Sequence, residues 1–221
     1  MFNRFLIFIF CFIMFSVDNI SFAYTEDIVV GEYVIIPVSE FAPKTTESSP
    51  EKVYEKPTKK VKEQNIIKKL RKPLYEYIMA NSKNKDPKYV SRVTEAYLRL
   101  IKEKTTNKHI VLYMVAIGCV ESNFSMNSTS SAGAIGISQI MYNVHKDKLL
   151  AEGITEKKAR KDPYYNIKAG LIIFESYWRC SDYNYTKACF KYLSSESQNY
   201  INKVNRNFAN LQLKVMSVLL L

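Results

Sequence analysis

The chain has 221 residues and a formal charge of +11 at neutral pH. That basic balance suits an acidic polymer as partner, but no Gly-rich phosphate loop, zinc-ligand spacing or RNA-binding signature accompanies it, which argues against a nucleic-acid binder. No internal repeat of 20 to 50 residues is apparent, so a solenoid is excluded.

Residues 1–23 read as a secretory signal: Arg4 gives a small positive start, 5–17 form an apolar core, and Ser21-Phe22-Ala23 supply a cleavage site. An uncleaved anchor is the other reading, but the core is short and ends at Asp18. Residues 24–72 read as an extension or linker, largely disordered. It holds one strand-like apolar stretch, IVVGEYVIIPV at 28–38. Pro43, Pro50 and Pro57 follow among many charges, a composition that buries too little surface to offset chain entropy. From 44 to 72 there are ten Lys/Arg against four Glu. This is either a tether for an anionic wall or membrane surface, or a solvated linker.

The folded domain is expected over 73–221, with a first secure helix at Asp86-Pro87, an N-cap side chain before a first-turn proline. Tyr89, Val93, Ala96, Tyr97, Leu100 and Ile101 then recur at helical spacing. The stretch 110–120 is uncharged and too short for a membrane span of about 20 residues. Periodicity alone does not separate a buried helix from a buried strand here, and the amphipathic segment before it favours a helix. Glu121 stands at the end of this run. A carboxyl group there loses solvation, and a helix C-terminus adds the negative end of the dipole, so its pKa rises and it can serve as a general acid. The residues alone equally allow a glutamate that caps the core and points into water.

A Ser/Thr/Gly-rich loop runs from 122 to 136, and 136–141 is expected to open another helix. A charged surface segment with turns around Gly153 spans 146–161. Asp162-Pro163 repeats the cap-plus-proline start, with an amphipathic helix over 167–178. The stretch 198–221 carries three cations and no acid, and ends in VMSVLLL, again too short to cross a membrane. No alternating strand pattern is seen within the domain, so the class is all-α.

Glu121-Ser122-Asn123-Phe124, then Gly133-Ala134-Ile135-Gly136-Ile137-Ser138-Gln139-Ile140-Met141, resemble the two leading motifs of the soluble lytic transglycosylase (SLT) family. Asp162-Pro163 with Asn166-Ile167 and Gly170, and Gln198-Asn199-Tyr200 with Lys203-Val204, resemble the later ones. The resemblance covers about 87–210. It implies a goose-lysozyme-like helical fold and an enzyme that cleaves peptidoglycan glycan strands without metal or cofactor.

In that scheme Glu121 is the single acid, then base, that converts the bond between N-acetylmuramic acid and N-acetylglucosamine into a 1,6-anhydro end. Ser130 or Ser131, Gly133 and Gly136 would shape the loop beside the cleft. Gln139 and Met141 would line the sugar site, Tyr192 would stand on the far wall, and Tyr200 would orient Glu121 through its hydroxyl. Two departures stand out. Tyr142 occupies a position where the family commonly has proline, and Tyr192-Leu193-Ser194-Ser195 lacks the Asn and Gly of the family's Tyr-Asn-x-Gly loop.

The alternatives are a lysozyme-type hydrolase, which would use two carboxylates, and an inactive wall-binding or scaffold protein. The reading implies a periplasmic or secreted monomer with no membrane span after signal removal, fitting service to a secretion or conjugation apparatus. Cys180 and Cys189 form a candidate disulfide in an oxidising compartment, although sequence does not fix connectivity. Cys119 reads as a small core residue.

Overall fold

The computed structural model describes residues 59–104, 107–194 and 197–219. The expected signal peptide, the extension as far as residue 58, and Ser195 lie outside them. Helix α1 spans Lys59–Asn81. Ile66, Leu70, Leu74, Tyr77 and Ile78 fall at helical spacing, and the last four are buried. Residues 59–72, placed in the linker by the expected boundary at 73, belong to this helix. Of the cations that suggested a solvated chain, Lys68, Lys69, Arg71 and Lys72 are exposed on this helix.

Helix α2 spans Pro87–Glu103, with Asp86 accepting from the Lys88 amide as the sequence predicts. Helix α3 spans His109–Ser122 and is the central element. Ile110, Val111, Met114, Val115, Ala116 and Ile117 are all shut off from solvent, as expected of a helix that is apolar all round. Gly118 lets α2 approach, because a Cβ there would lie 2.6 Å from the Tyr97 hydroxyl.

After α3 the chain runs irregularly from 123 to 141. Its only pairings among the described residues are isolated bridges, Thr129 with Ile135 and Ile135 with Ile140. The helix expected at 136–141 does not form. Gly136 and Gln139 both take positive φ, 74° and 44°, incompatible with a right-handed helix. A 3₁₀ turn follows at Tyr142–His145. The charged segment then makes two short helices, α4 Lys146–Ala151 and α5 Glu156–Lys161, separated at Gly153.

Helix α6 spans Pro163–Arg179, its N-terminus capped by Asp162. Helix α7 spans Tyr185–Leu193 and α8 Gln198–Leu219. The main core gathers α1, α2, α3, α6, α7 and α8. A second, smaller core of Ile135, Ile140, Tyr142, Leu149, Ile154 and Ile173 lies beneath the irregular loop. The described residues are thus all-α, and none of their helices is long and apolar enough to cross a membrane.

Candidate active site

Helix α3 ends where Asn123 turns left-handed (φ 49°, ψ 47°) and its amide turns back to the Cys119 and Gly118 carbonyls. Phe124 also has positive φ. It is driven into the core and packs edge-on against Tyr77 and Tyr97, with ring centroids 6.4 Å away in both cases. The Tyr89 hydroxyl bridges the exit, donating to the Phe124 carbonyl and accepting from the Met126 amide at 3.0 Å. Ser122 fastens loop to helix: its hydroxyl donates to the Ile137 carbonyl at 2.9 Å and accepts from the Ser125 amide at 3.0 Å.

Glu121 lies at this junction. The Tyr200 hydroxyl, from the first turn of α8, donates to Glu121 Oε1 at 2.6 Å across 79 positions of chain. Burial pushes the Glu121 carboxyl above the ordinary glutamate range, and the Tyr200 hydrogen bond pulls partly the other way. Burial also raises the Tyr200 phenol, and the Glu121 charge adds to that shift, so Tyr200 stays protonated and remains a donor. Among the described residues, neither cause of the Glu121 shift is a second carboxylate. The arrangement is chemically a desolvated acid with one oxygen fixed.

The loop beyond is held by side chains bonded to backbone. Asn166, fully buried on α6, accepts from the Ser138 amide at 2.9 Å and donates to the Ile135 and Ala159 carbonyls at 3.2 and 3.0 Å. Gly136 packs against it; a Cβ there would lie 2.2 Å from Asn166 Nδ2. Gly136 thus serves internal packing. Gln139 donates to the Gly136 and Ser128 carbonyls at 2.9 and 3.3 Å, so its amide nitrogen braces the loop from within. The Tyr192 hydroxyl donates to the Ser138 carbonyl at 2.7 Å. Gly170 allows this approach, since a Cβ there would meet Ser138 at 2.6 Å and the Tyr192 oxygen at 3.0 Å.

Ser130 and Gly133 belong to a small exposed-side turn, in which Ser130 Oγ accepts from the Ala134 amide at 3.0 Å and Gly133 adopts φ 87°. Ser131 is exposed beside them. Met141 leaves the loop 36% exposed. Among the predicted residues, then, Tyr200 touches Glu121 directly, while Gly136, Gln139 and Tyr192 meet through the loop. Sequence reasoning missed the positioning work of Asn166, Ser122 and Tyr89. The available signal was a lone Asn and a lone Ser on otherwise apolar helical faces, where a buried polar group requires partners.

The candidate disulfide is not formed. Cys180 is exposed at the end of α6, Cys189 is buried, and both thiols are free. Cys189 faces the core, 3.3 Å from the Tyr113 hydroxyl, and burial pushes its thiol up to about 12. Cys119 is buried in α3, and its thiol donates to Asn207 Oδ1 at 3.4 Å.

No curated protein and no solved structure matches the chain. Residues 99–210, from within α2 to within α8 and just over half the chain, match the family model of the transglycosylase SLT domain. Glu121 at the end of a buried helix, the braced loop after it and Tyr200 all fall inside that match, and the chain belongs to the transglycosylase SLT family, whose domains are of the peptidoglycan-acting lytic transglycosylase type.

Proposed function

We propose that the protein is an exported peptidoglycan lytic transglycosylase in which Glu121 is the only catalytic carboxyl group. The observation that carries this reading is the desolvated Glu121 with Oε1 taken by the Tyr200 hydroxyl at 2.6 Å. Desolvation keeps the proton on the acid, and the hydrogen bond leaves Oε2 as the oxygen that delivers it. Glu121 protonates the glycosidic oxygen between N-acetylmuramic acid and N-acetylglucosamine, and that bond breaks. The resulting carboxylate then takes the proton of the muramyl 6-hydroxyl as its oxygen bonds to the anomeric carbon. The product is a 1,6-anhydro end, and no water is consumed.

In this scheme Gln139, Met141 and Tyr192 line the sugar site. Ser130, Ser131 and Gly133 form the turn that borders it, and Gly136 allows the close loop packing. The protein acts as a monomer outside the cytoplasm and needs no cofactor. Its basic helix surface and predicted tether suit an anionic wall and service to a secretion or conjugation apparatus.

The test is mass spectrometry of muropeptides released from purified sacculi, beside Glu121→Gln. Anhydro-muramyl products lost in the variant are expected. Reducing ends would replace this scheme with a lysozyme-type hydrolase and a second carboxylate. Absence of release with binding intact would favour the wall-binding reading, consistent with a Tyr192 loop that lacks the usual Asn and Gly.

A further inference from the structure

The two ends of α8 face different surroundings. At its start Tyr200 and Ile201 are buried, and Val204, Leu211 and Val215 continue that stripe against the core. Leu213 and Met216 lie off the stripe and are 72% and 52% exposed. A helix on a globular domain gives its apolar residues to one face. The last turns of α8 carry them on two.

The charge on the same helix has one sign. Lys203, Arg206 and Lys214 are its cations, and its 22 residues include no Asp or Glu. At about 100° per residue, Arg206 sits within about 20° of Leu213 around the axis, while Lys203 and Lys214 lie together roughly 80–100° round on the side away from Met216. Alongside, α1 packs on α8 through the Tyr77 hydroxyl and Asn207, and it exposes Lys68 and Lys69. Beyond Met216 the sequence reads Ser-Val-Leu-Leu-Leu, without charge.

We infer that the outward face of α8, from Lys203 to Met216, docks on an anionic lipid bilayer, with Leu213 and Met216 entering the boundary between headgroups and acyl chains and Lys203 and Arg206 facing lipid phosphates. Exposed apolar side chains bordered by cations are the pattern of a helix lying in a membrane interface. A glycan strand would answer the cations but offers no apolar depth for Leu213 and Met216. A second copy would answer the apolar residues but would set cations against cations, because the helix has no acid to offer. A bilayer of anionic lipid supplies both. The inference does not depend on the catalytic reading.

The test puts a reporter on the surface itself. Leu213→Trp in the full chain is mixed with vesicles of phosphatidylglycerol and phosphatidylcholine carrying brominated acyl chains. The expected result is a blue shift and quenching of the added indole beyond any change of Trp178 in the parent. Binding read by this signal should be at least about 10-fold tighter than on pure phosphatidylcholine vesicles at low salt. Lys203→Glu combined with Arg206→Glu should remove that preference. An indole at 213 reports its own depth, so apolar residues 5–17 do not confuse the result. Met216→Trp repeats the measurement should the first variant fail to fold. The inference is overturned if neither indole is quenched, or if neutral and anionic vesicles bind equally. A lipid-free dimer abolished by Leu213→Asp would also overturn it, and would assign the face to a second copy.

Discussion

Along α3, Val111, Met114, Val115 and Ile117 are shut away from water by apolar neighbours on every side. From 123 to 141, just beyond Glu121, the backbone forms turns and isolated bridges over a few buried apolar residues, and single polar atoms from Ser122, Asn166, Gln139 and Tyr192 fasten it to the helices. The helix is stabilised by area, which is forgiving of small changes. The loop is stabilised by stoichiometry, in which each lost atom strands a partner. Glu121 stands between the two, desolvated by the first and framed by the second.

The largest effect should come from Asn166→Ala. It leaves the Ser138 amide and the Ala159 carbonyl without their side-chain partner and takes one of two donors from the Ile135 carbonyl, which keeps the Ile140 amide, a loss of roughly 3–5 kcal/mol. Urea unfolding would measure it, and a loss below about 1 kcal/mol would mean the loop is held by packing, as the helix is. Gly136→Ala follows at roughly 2–4 kcal/mol, from strain at positive φ and collision with the buried Asn166 side chain. Its cleavage activity should fall more than its stability implies, because Ser138 and Gln139 move with it. Ile117→Val tests the other side of the comparison. Removing one methylene from α3 should cost about 1 kcal/mol, read from the thermal midpoint, with cleavage retained.

Those expectations rest on different depths of legibility in the sequence. The starts of α2 and α6 were readable because a cap and a first-turn proline are local chemistry. The buried run of α3 and the all-α class were readable from charge and periodicity. Three features were not. Residues 59–72 look like linker because their lysines outnumber their apolar residues, although Ile66 and Leu70 already keep helical register. The stretch 136–141 looks helical because it is apolar, but its positive φ angles are imposed by Asn166, thirty positions downstream of Gly136. Cys180 and Cys189 look like a pair by spacing, but one faces water and the other the core. Glu121 was legible as a position, and Tyr200 only through family resemblance, because local pattern does not reveal a contact between distant residues.

The smallest effect has the opposite sign. Burial raises the folded-state pKa of Glu121, so the fold prefers the protonated form. Stability is lost as pH rises from the ordinary glutamate value of about 4 through that raised pKa. Glu121→Gln removes the cost. Its thermal midpoint should exceed the parent's at pH 7, and the two should converge near pH 3. The parent's cleavage rate should fall as pH rises through the same window, since the acid form is consumed. A variant less stable than the parent at pH 7 would mean that the carboxylate is better solvated than its surroundings indicate.

The bond from Tyr200 to Glu121 has a consequence for biosynthesis. A ribosome delivers the acid long before its partner: Glu121 is made 79 residues ahead of Tyr200. A nascent or truncated chain that stops short of α8 contains the glutamate and its loop, but the carboxyl remains wetter and unaimed. The contact that fixes the Glu121 carboxyl therefore forms only once α8 has been made and packed, after the rest of the described helices.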